Sequence, residues 1–323
     1  MSLSAKQAVE VLRAAGESTR LRILALLARE ELAVMELSQI LDQSQPRVSR
    51  HLKLLTEADL VERFPDGAWM FYRLTASEPR RSLLDQLLAL TRDDDPALAR
   101  DAERLQTVRA ERSEAAGAYF ARNAARWDEL RSLYVSESDV EAAIVRSAGD
   151  GAYRRLVDLG TGAGRMLTLL GGRAESAIGP DLSQQMLNIA RRRTREAGLD
   201  QCELRHGDIF ATRLADASAD LVVVHQVLHY LSEPAKAVAE AGRLVASGGR
   251  LLIVDFAPHK LEFLREAHQH RRLGFSDVEM NRWLEAAGLS PGAASTLPPA
   301  SPQGLTVKIW VADNQRRRQE KAA

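Results

Sequence analysis

Leu156-Val157-Asp158-Leu159-Gly160-Thr161-Gly162-Ala163-Gly164 is an apolar run that ends in glycines at alternate positions and leads into a helical stretch through Met166 to Leu170. Glycine is needed where a backbone turns tightly, or where a ligand comes too close for a Cβ. The spacing is G-x-G-x-G, not the G-x-G-x-x-G of dinucleotide sites. Alone, such a turn also serves as a plain strand-to-helix connector. Its neighbours add weight. Ile178-Gly179-Pro180-Asp181 ends a second apolar run in a carboxylate suited to a ribose diol, and Leu182 to Leu187 opens an amphipathic helix. Gly207-Asp208-Ile209-Phe210 closes a third run with a carboxylate able to accept from an adenine amino group. Asp220-Leu221-Val222-Val223-Val224-His225 is a fourth, and Leu251 to Asp255 a fifth. Short apolar runs alternating with amphipathic helices predict an α/β fold with a parallel sheet and crossover helices. The acidic positions fall at carboxyl ends of strands, where open α/β sheets bind ligands.

The first ninety residues read differently. Leu37 to Leu41 is a short helix, and Asp42-Gln43-Ser44 a polar turn with Ser44 as the cap of the next helix. Pro46 falls in that helix's first turn, where its missing N–H costs little. Along 45–56, Val48, Leu52 and Leu55 share an inward face. Ser49, Arg50 and Lys53 lie opposite, with Ser44, Gln45, Arg47 and His51 at the start and flanks. A basic front on an apolar back suits a DNA major groove. Pro65-Asp66-Gly67-Ala68 then joins two strand-like runs, 60–64 and 69–74, as a hairpin wing with Arg63 and Arg73 available for phosphates. The bland alternative is a helix-turn-helix used only for packing; the order of helix, turn, basic helix and hairpin favours DNA.

Composition bounds these readings. The chain has 323 residues, 45% apolar and 27% charged, which suits two soluble domains. Lys+Arg and Asp+Glu balance at 44 each, so net charge carries no nucleic-acid signature and the motif must. Cys202 is the one cysteine, which excludes an internal disulfide and fits a reducing compartment. With no apolar signal core in 1–10 and no run long enough for a bilayer, a cytoplasmic protein off the membrane is expected. The acidic, proline-marked 92–96 is a break, and 97–131 should be helical. The expected division is a winged helix-turn-helix over 1–92, a helical connector over 93–117, an α/β domain over 118–314 and a basic tail over 315–323.

Residues 12–74, notably Ser49-Arg50-His51-Leu52-Lys53-Leu54-Leu55 followed by Leu60-Val61-Glu62-Arg63, resemble the arsenic-repressor (ArsR-type) winged helices. That resemblance implies a homodimer reading two half-sites of duplex operator DNA. Metal-sensing members carry paired cysteines before the recognition unit. Here Ala33 and Met35 stand at those places and 81–92 holds no histidine, so no metal inducer is expected. Residues 118–313 resemble the class I methyltransferases that use S-adenosylmethionine (SAM), in particular small-molecule enzymes of ubiquinone and menaquinone biosynthesis. The resemblance implies a Rossmann-like fold. It places Gly160, Gly162 and Gly164 at the methionine end, Asp158 supporting the loop, Asp181 with Leu182 at the ribose, and Asp208 with Ile209 at the adenine. Tyr119-Phe120 and Trp127-Asp128 match a helix that covers such pockets, or are core packing.

Five of the seven histidines lie in 225–270, and His225 is expected beside the nucleoside as the candidate catalytic residue. The others read as caps or a loop network, without metal-ligand spacing. The methyl acceptor, a small molecule, is not legible. Arsenite is excluded because Cys202 alone cannot supply its thiolates. The expected function is a dimeric repressor whose second domain senses SAM or S-adenosylhomocysteine, tying methyl-cycle state to transcription. The competing reading is an active small-molecule methyltransferase whose winged helix serves dimerisation. Nucleic-acid methylation is weakest, since His225-Gln226-Val227-Leu228 stands where an Asn/Asp-Pro-Pro-aromatic motif would.

Overall fold

A computed structural model describes residues 3–66, 68–92, 95–123, 137–299 and 304–315. It separates into two compact units, Met1–Glu114 and Ala115–Ala323. In the first, α1 (Ala5–Ala15) starts in a capping box of Ser4 and Gln7, and α2 (Ser18–Leu27) follows. The two-residue strand β1 (Leu32–Ala33) leads into α3 (Val34–Leu41) and α4 (Gln45–Glu57). A hairpin of β2 (Val61–Asp66) and β3 (Trp69–Leu74) comes next, then α5 (Arg80–Ala89). The hairpin register runs through Pro65↔Met70 to Asp66↔Trp69, so Pro65 and Asp66, expected in the turn, belong to the strand. Sequence reading missed β1, which pairs with β3 through Leu32↔Tyr72 and Ala33↔Phe71. Two residues are too few to show a period. Ala33 is buried there, and Met35 is exposed in the first turn of α3.

The 28-residue helix α6 (Pro96–Asn123) occupies most of the expected connector. Its earlier residues are part of the first core, where Leu105 and Val108 pack with Ile23, Leu37 and Leu52. Charge fixes it as well. Arg22 donates twice to the buried Asp101 at 2.6 Å, Arg109 pairs with the buried Glu30 at 3.1 Å, and Arg112 with Glu36 at 2.7 Å.

The second unit opens with α7 (Glu137–Ala148), β4 (Tyr153–Leu159) and α8 (Arg165–Leu170). Then come β5 (Ala174–Asp181), α9 (Gln184–Glu196), β6 (Cys202–His206) and β7 (Ala219–His225). It continues through α10 (Pro234–Leu244), β8 (Val245–Phe256), α11 (Phe263–His268) and α12 (Asp277–Ala286). Strands β9 (Ser290–Pro291), β10 (Ser295–Leu297) and β11 (Val307–Asp313) complete it. The sheet runs β10-β11-β8-β7-β4-β5-β6 with β9 also on β11; β4 to β8 are parallel, and β11 is antiparallel to β8. Leu156, Val157 and Leu159 are fully buried because both faces of the central strand are covered, which is why they read as one unbroken apolar run. Strand order reverses between β4 and β7, so the loop after β4 lies at the topological switch point.

Candidate nucleoside and DNA sites

The glycine loop follows β4. Gly160, Gly162 and Gly164 all take positive φ, at 70°, 51° and 80°. Space then separates their roles. A Cβ on Gly160 would lie 2.7 Å from Val227, and one on Gly164 2.9 Å from the Ala190 methyl of α9. A Cβ on Gly162 would meet nothing within 4 Å. The outer glycines therefore let the loop close on the protein, while the middle one faces open space at the switch point. Gly179 performs a packing role that sequence reading missed, since a Cβ there would strike Thr161 and Leu167 at 2.8 Å.

Asp158 is buried beneath the loop and accepts a 2.6 Å bond from the Thr161 hydroxyl. Burial pushes its pKa up to about 7; the Thr161 bond opposes that shift and the nearby Asp181 adds to it. Asp181, at the end of β5, accepts from the backbone N–H of Gly162 at 2.9 Å and of Ser183 at 2.7 Å. It thus ties the glycine loop to the neighbouring strand, and each oxygen keeps a second lone pair. Burial raises its pKa against those two donors. Leu182 beside it is 55% exposed, an apolar side chain left open next to the carboxylate. Ser183 caps α9 by accepting from Met186 N–H at 3.3 Å. Beyond β6, Asp208 is exposed and accepts from Phe210 N–H at 2.9 Å, while Ile209 is buried. Asp158, the glycines, Asp181, Leu182 and Asp208–Ile209 all follow or end adjacent strands β4, β5 and β6, as the spacing predicts.

His225 is half-buried at the end of β7. A later histidine is held in a short, buried polar contact. His229 is 1% exposed, and its Nδ1 lies 2.7 Å from Oδ1 of the buried Asp255 in β8. The His270 ring sits 4.2 Å from that of His229, Tyr230 4.1 Å and Phe256 5.0 Å. Tyr119 Oη lies 2.7 Å from His268 Nδ1, so the expected loop network of histidines exists and reaches the end of α6. Phe120 packs on Ala163 and Met186, and its ring is 4.9 Å from Tyr230. Trp127 and Asp128 lie outside the described residues. Among the described residues no group of three or more His, Cys, Asp or Glu is placed to hold a metal.

In the first unit, α4 buries Val48, Leu52 and Leu55 and exposes Gln45, Arg47, Arg50 and Lys53, with Ser49 half-buried. Three expectations need correcting. Ser44 occupies the cap position but its hydroxyl makes no cap bond. His51 turns toward Glu17, 3.4 Å away, and leaves the basic front. Arg73 is held by Glu62 at 2.9 Å and Glu31 at 3.5 Å and covers the Phe64 ring, whereas Arg63 is exposed. A sequence shows which residues share a helix face, but not which carboxylate on another element pulls one of them aside.

Residues 17–63 match the family model described as "Bacterial regulatory protein, arsR family", and 157–253 the model for a methyltransferase domain. The Bacillus subtilis methyltransferase YcgJ is 26% identical over 140 residues, 43% of this chain and 54% of its own length. The Thermus thermophilus demethylmenaquinone methyltransferase is 32% identical over 143 residues, 43% of this chain and 64% of its own. The chain thus spans between half and two thirds of the length of these curated relatives. A methyltransferase solved in complex with the Haloferax volcanii activator Trm112 shares the fold at a TM-score of 0.51 and 19% identity, over 60% of this chain and 97% of that one. No helix among the described residues is long and apolar enough to cross a membrane. The chain carries a helix-turn-helix of the bacterial arsR regulatory type and, beyond it, a class I methyltransferase domain.

Proposed function

We propose that the chain is an arsR-type transcription regulator, a cytoplasmic homodimer on operator DNA, whose second domain binds SAM or S-adenosylhomocysteine and changes operator affinity when it does. On this reading Arg50 enters the groove and contacts a phosphate there, with Arg47, Ser49 and Lys53 beside it and Ser44 and Gln45 at the helix start. The nucleoside lies on the glycine loop at Gly162, its ribose hydroxyls on the remaining lone pairs of Asp181, and its adenine between Leu182 and Asp208–Ile209. The residues fit that group: a carboxylate already oriented by two N–H donors, an exposed leucine and an open glycine converge at the switch point. When bound, SAM supplies a methyl group on a sulfonium sulfur. The domain supplies position, which accounts for much of the acceleration in a displacement of this kind. His225 flanks that space as the catalytic candidate for a small-molecule acceptor.

The observation that carries the coupling is α6. Asp101, Arg109 and Arg112 belong to the winged core, and Phe120 of the same helix packs on Ala163 of the glycine loop. The test captures genomic fragments with the full chain, then measures affinity for the recovered operator with saturating SAM, with saturating S-adenosylhomocysteine, and with neither. The expected outcome is a difference of about 5–150-fold between at least two states. Equal affinities in all three would leave a methyltransferase and a DNA-binding domain that merely share a chain, and capture of no fragment at all would leave the second reading, a methyltransferase whose winged helix only dimerises.

A further inference from the structure

The pair His229–Asp255 has a feature that packing does not explain. Asp255 Oδ1 accepts from Phe256 N–H at 2.8 Å and faces His229 Nδ1 at 2.7 Å. That arrangement places the imidazole proton on Nδ1 and leaves Nε2 as a bare lone pair. His229 Nε2, Asp255 Oδ2 and His270 Nδ1 are all buried without a hydrogen-bond partner. Their side chains are linked through His229, which touches both Asp255 and His270. An unmet buried polar atom costs about 1–3 kcal/mol, so three of them together point to a guest group.

The character of that guest can be read from the atoms left over. Asp255 Oδ2 and His229 Nε2 can only accept, so the guest donates. Its position follows from the sheet. His229 comes just after β7 and Asp255 is near the end of β8, on the carboxyl edge that also carries the glycine loop after β4. Phe120 against Ala163, with Tyr230 next to Phe120 and His229, connects the two places by ring contacts.

We infer that the His229–Asp255 pair is the acceptor subsite of the methyltransferase domain, taking a hydroxyl group on a small, aromatic-compatible molecule and receiving its proton at His229 Nε2. This rests on the methyl-transfer reading above and moves the proton-accepting role from His225 to His229. The acceptor's O–H bond breaks, its proton forms an N–H bond at His229 Nε2, and the electron pair stays on oxygen as the nucleophile. Asp255 holds the resulting imidazolium through Nδ1–H, and the proton on Nε2 later passes to solvent. The domain's methyl donor supplies the electrophilic carbon, its sulfur keeping the electron pair of the broken C–S bond. Nearby charges do not compete for the role: burial, with His229, His259, His268 and Arg265 nearby, holds His270 neutral, and burial lowers His268.

The experiment uses the full chain saturated with S-adenosylhomocysteine and ¹⁵N-labelled at histidine. Phenol is the probe, and anisole, the same ring without the donor, is the control. The His229 resonances are expected to show a protonated Nδ1 and bare Nε2, with Nε2 shifting saturably on phenol but not on anisole. His229→Gln should abolish the response, and Asp255→Asn should scramble the tautomer, while both retain S-adenosylhomocysteine affinity. Once an acceptor is found, His229→Gln should lower its turnover by about 10²–10⁴-fold. A protonated Nε2 in the wild-type chain, equal responses to the two probes, or no response because the guest is an ordered water would each overturn the inference. Failure to bind S-adenosylhomocysteine at all would instead sink the methyl-transfer reading.

Discussion

Asp158 and Asp181 are both carboxylates under one glycine loop, yet their surroundings give them different work. Asp158 has one hydroxyl donor and no solvent, so its pKa rises to about 7. A native pKa above the unfolded value of about 3.9 means the folded chain holds the proton more tightly. Its contribution to stability is therefore complete below about pH 3.9 and is lost as pH rises toward 7. Asp158→Asn should remove that dependence, gaining on the wild type by up to about 4 kcal/mol as pH climbs from 4 to 8, at 1.36 kcal/mol per unit. Urea unfolding of both proteins across that range measures it, and parallel curves would show that Asp158 does not titrate there. Asp181 is oriented by two backbone donors, one on each oxygen, and each oxygen keeps a second lone pair. Asp181→Ala should weaken SAM and S-adenosylhomocysteine by roughly 1.5–3 kcal/mol, or about 10–150-fold, the usual loss for a bond to a charged group. Calorimetric titration giving wild-type affinity would remove Asp181 from the ribose.

The two helices that matter most differ in how openly the sequence announces them. α4 has a clean apolar back in Val48, Leu52 and Leu55, and its exposed Arg47, Arg50 and Lys53 follow from the same period. Arg50→Ala in the full chain should flatten the slope of log operator affinity against log salt by about one unit. An unaltered slope would mean that Arg50 contacts no phosphate. For α6 the sequence showed a helix and no more, because its stabilising partners are distant in the chain. Arg22 lies 79 positions from Asp101, and no local pattern links them. The same limit applied to His229, just after β7, and Asp255, in the neighbouring β8 but 26 positions away. The glycine loop and the carboxylates after it were legible because each stands within a few residues of its own strand end. Asp101→Ala should strand Arg22 and cost the first unit stability, at the low end of ~3–5 kcal/mol because Arg22 remains partly exposed. Denaturant unfolding monitored on that unit measures the loss; a change under ~0.5 kcal/mol would place the pair among surface bridges worth little.

At the scale of the whole molecule, coupling must run both ways. If a nucleoside changes operator affinity by some factor, operator DNA changes nucleoside affinity by the same one. The measurement is S-adenosylhomocysteine titrated into the chain with and without saturating operator; a factor that disagrees with the reverse experiment would point to a second nucleoside site or altered dimerisation. SAM and S-adenosylhomocysteine differ by one methyl and one charge, so only unequal binding to two states lets either act as a signal. The placement of α6 has a further consequence, for where such a gene can be recombined. Composition puts the seam at the acidic, proline-marked residues 92–96, yet the first unit runs to Glu114. A polypeptide ended at 92 lacks Leu105 and Val108 from its interior and leaves the buried carboxylate of Glu30 without Arg109 and Arg112. A crossover for grafting this domain onto a different effector therefore belongs inside the helix, in phase with its turns, so that the residues of α6 that complete the first core travel with it.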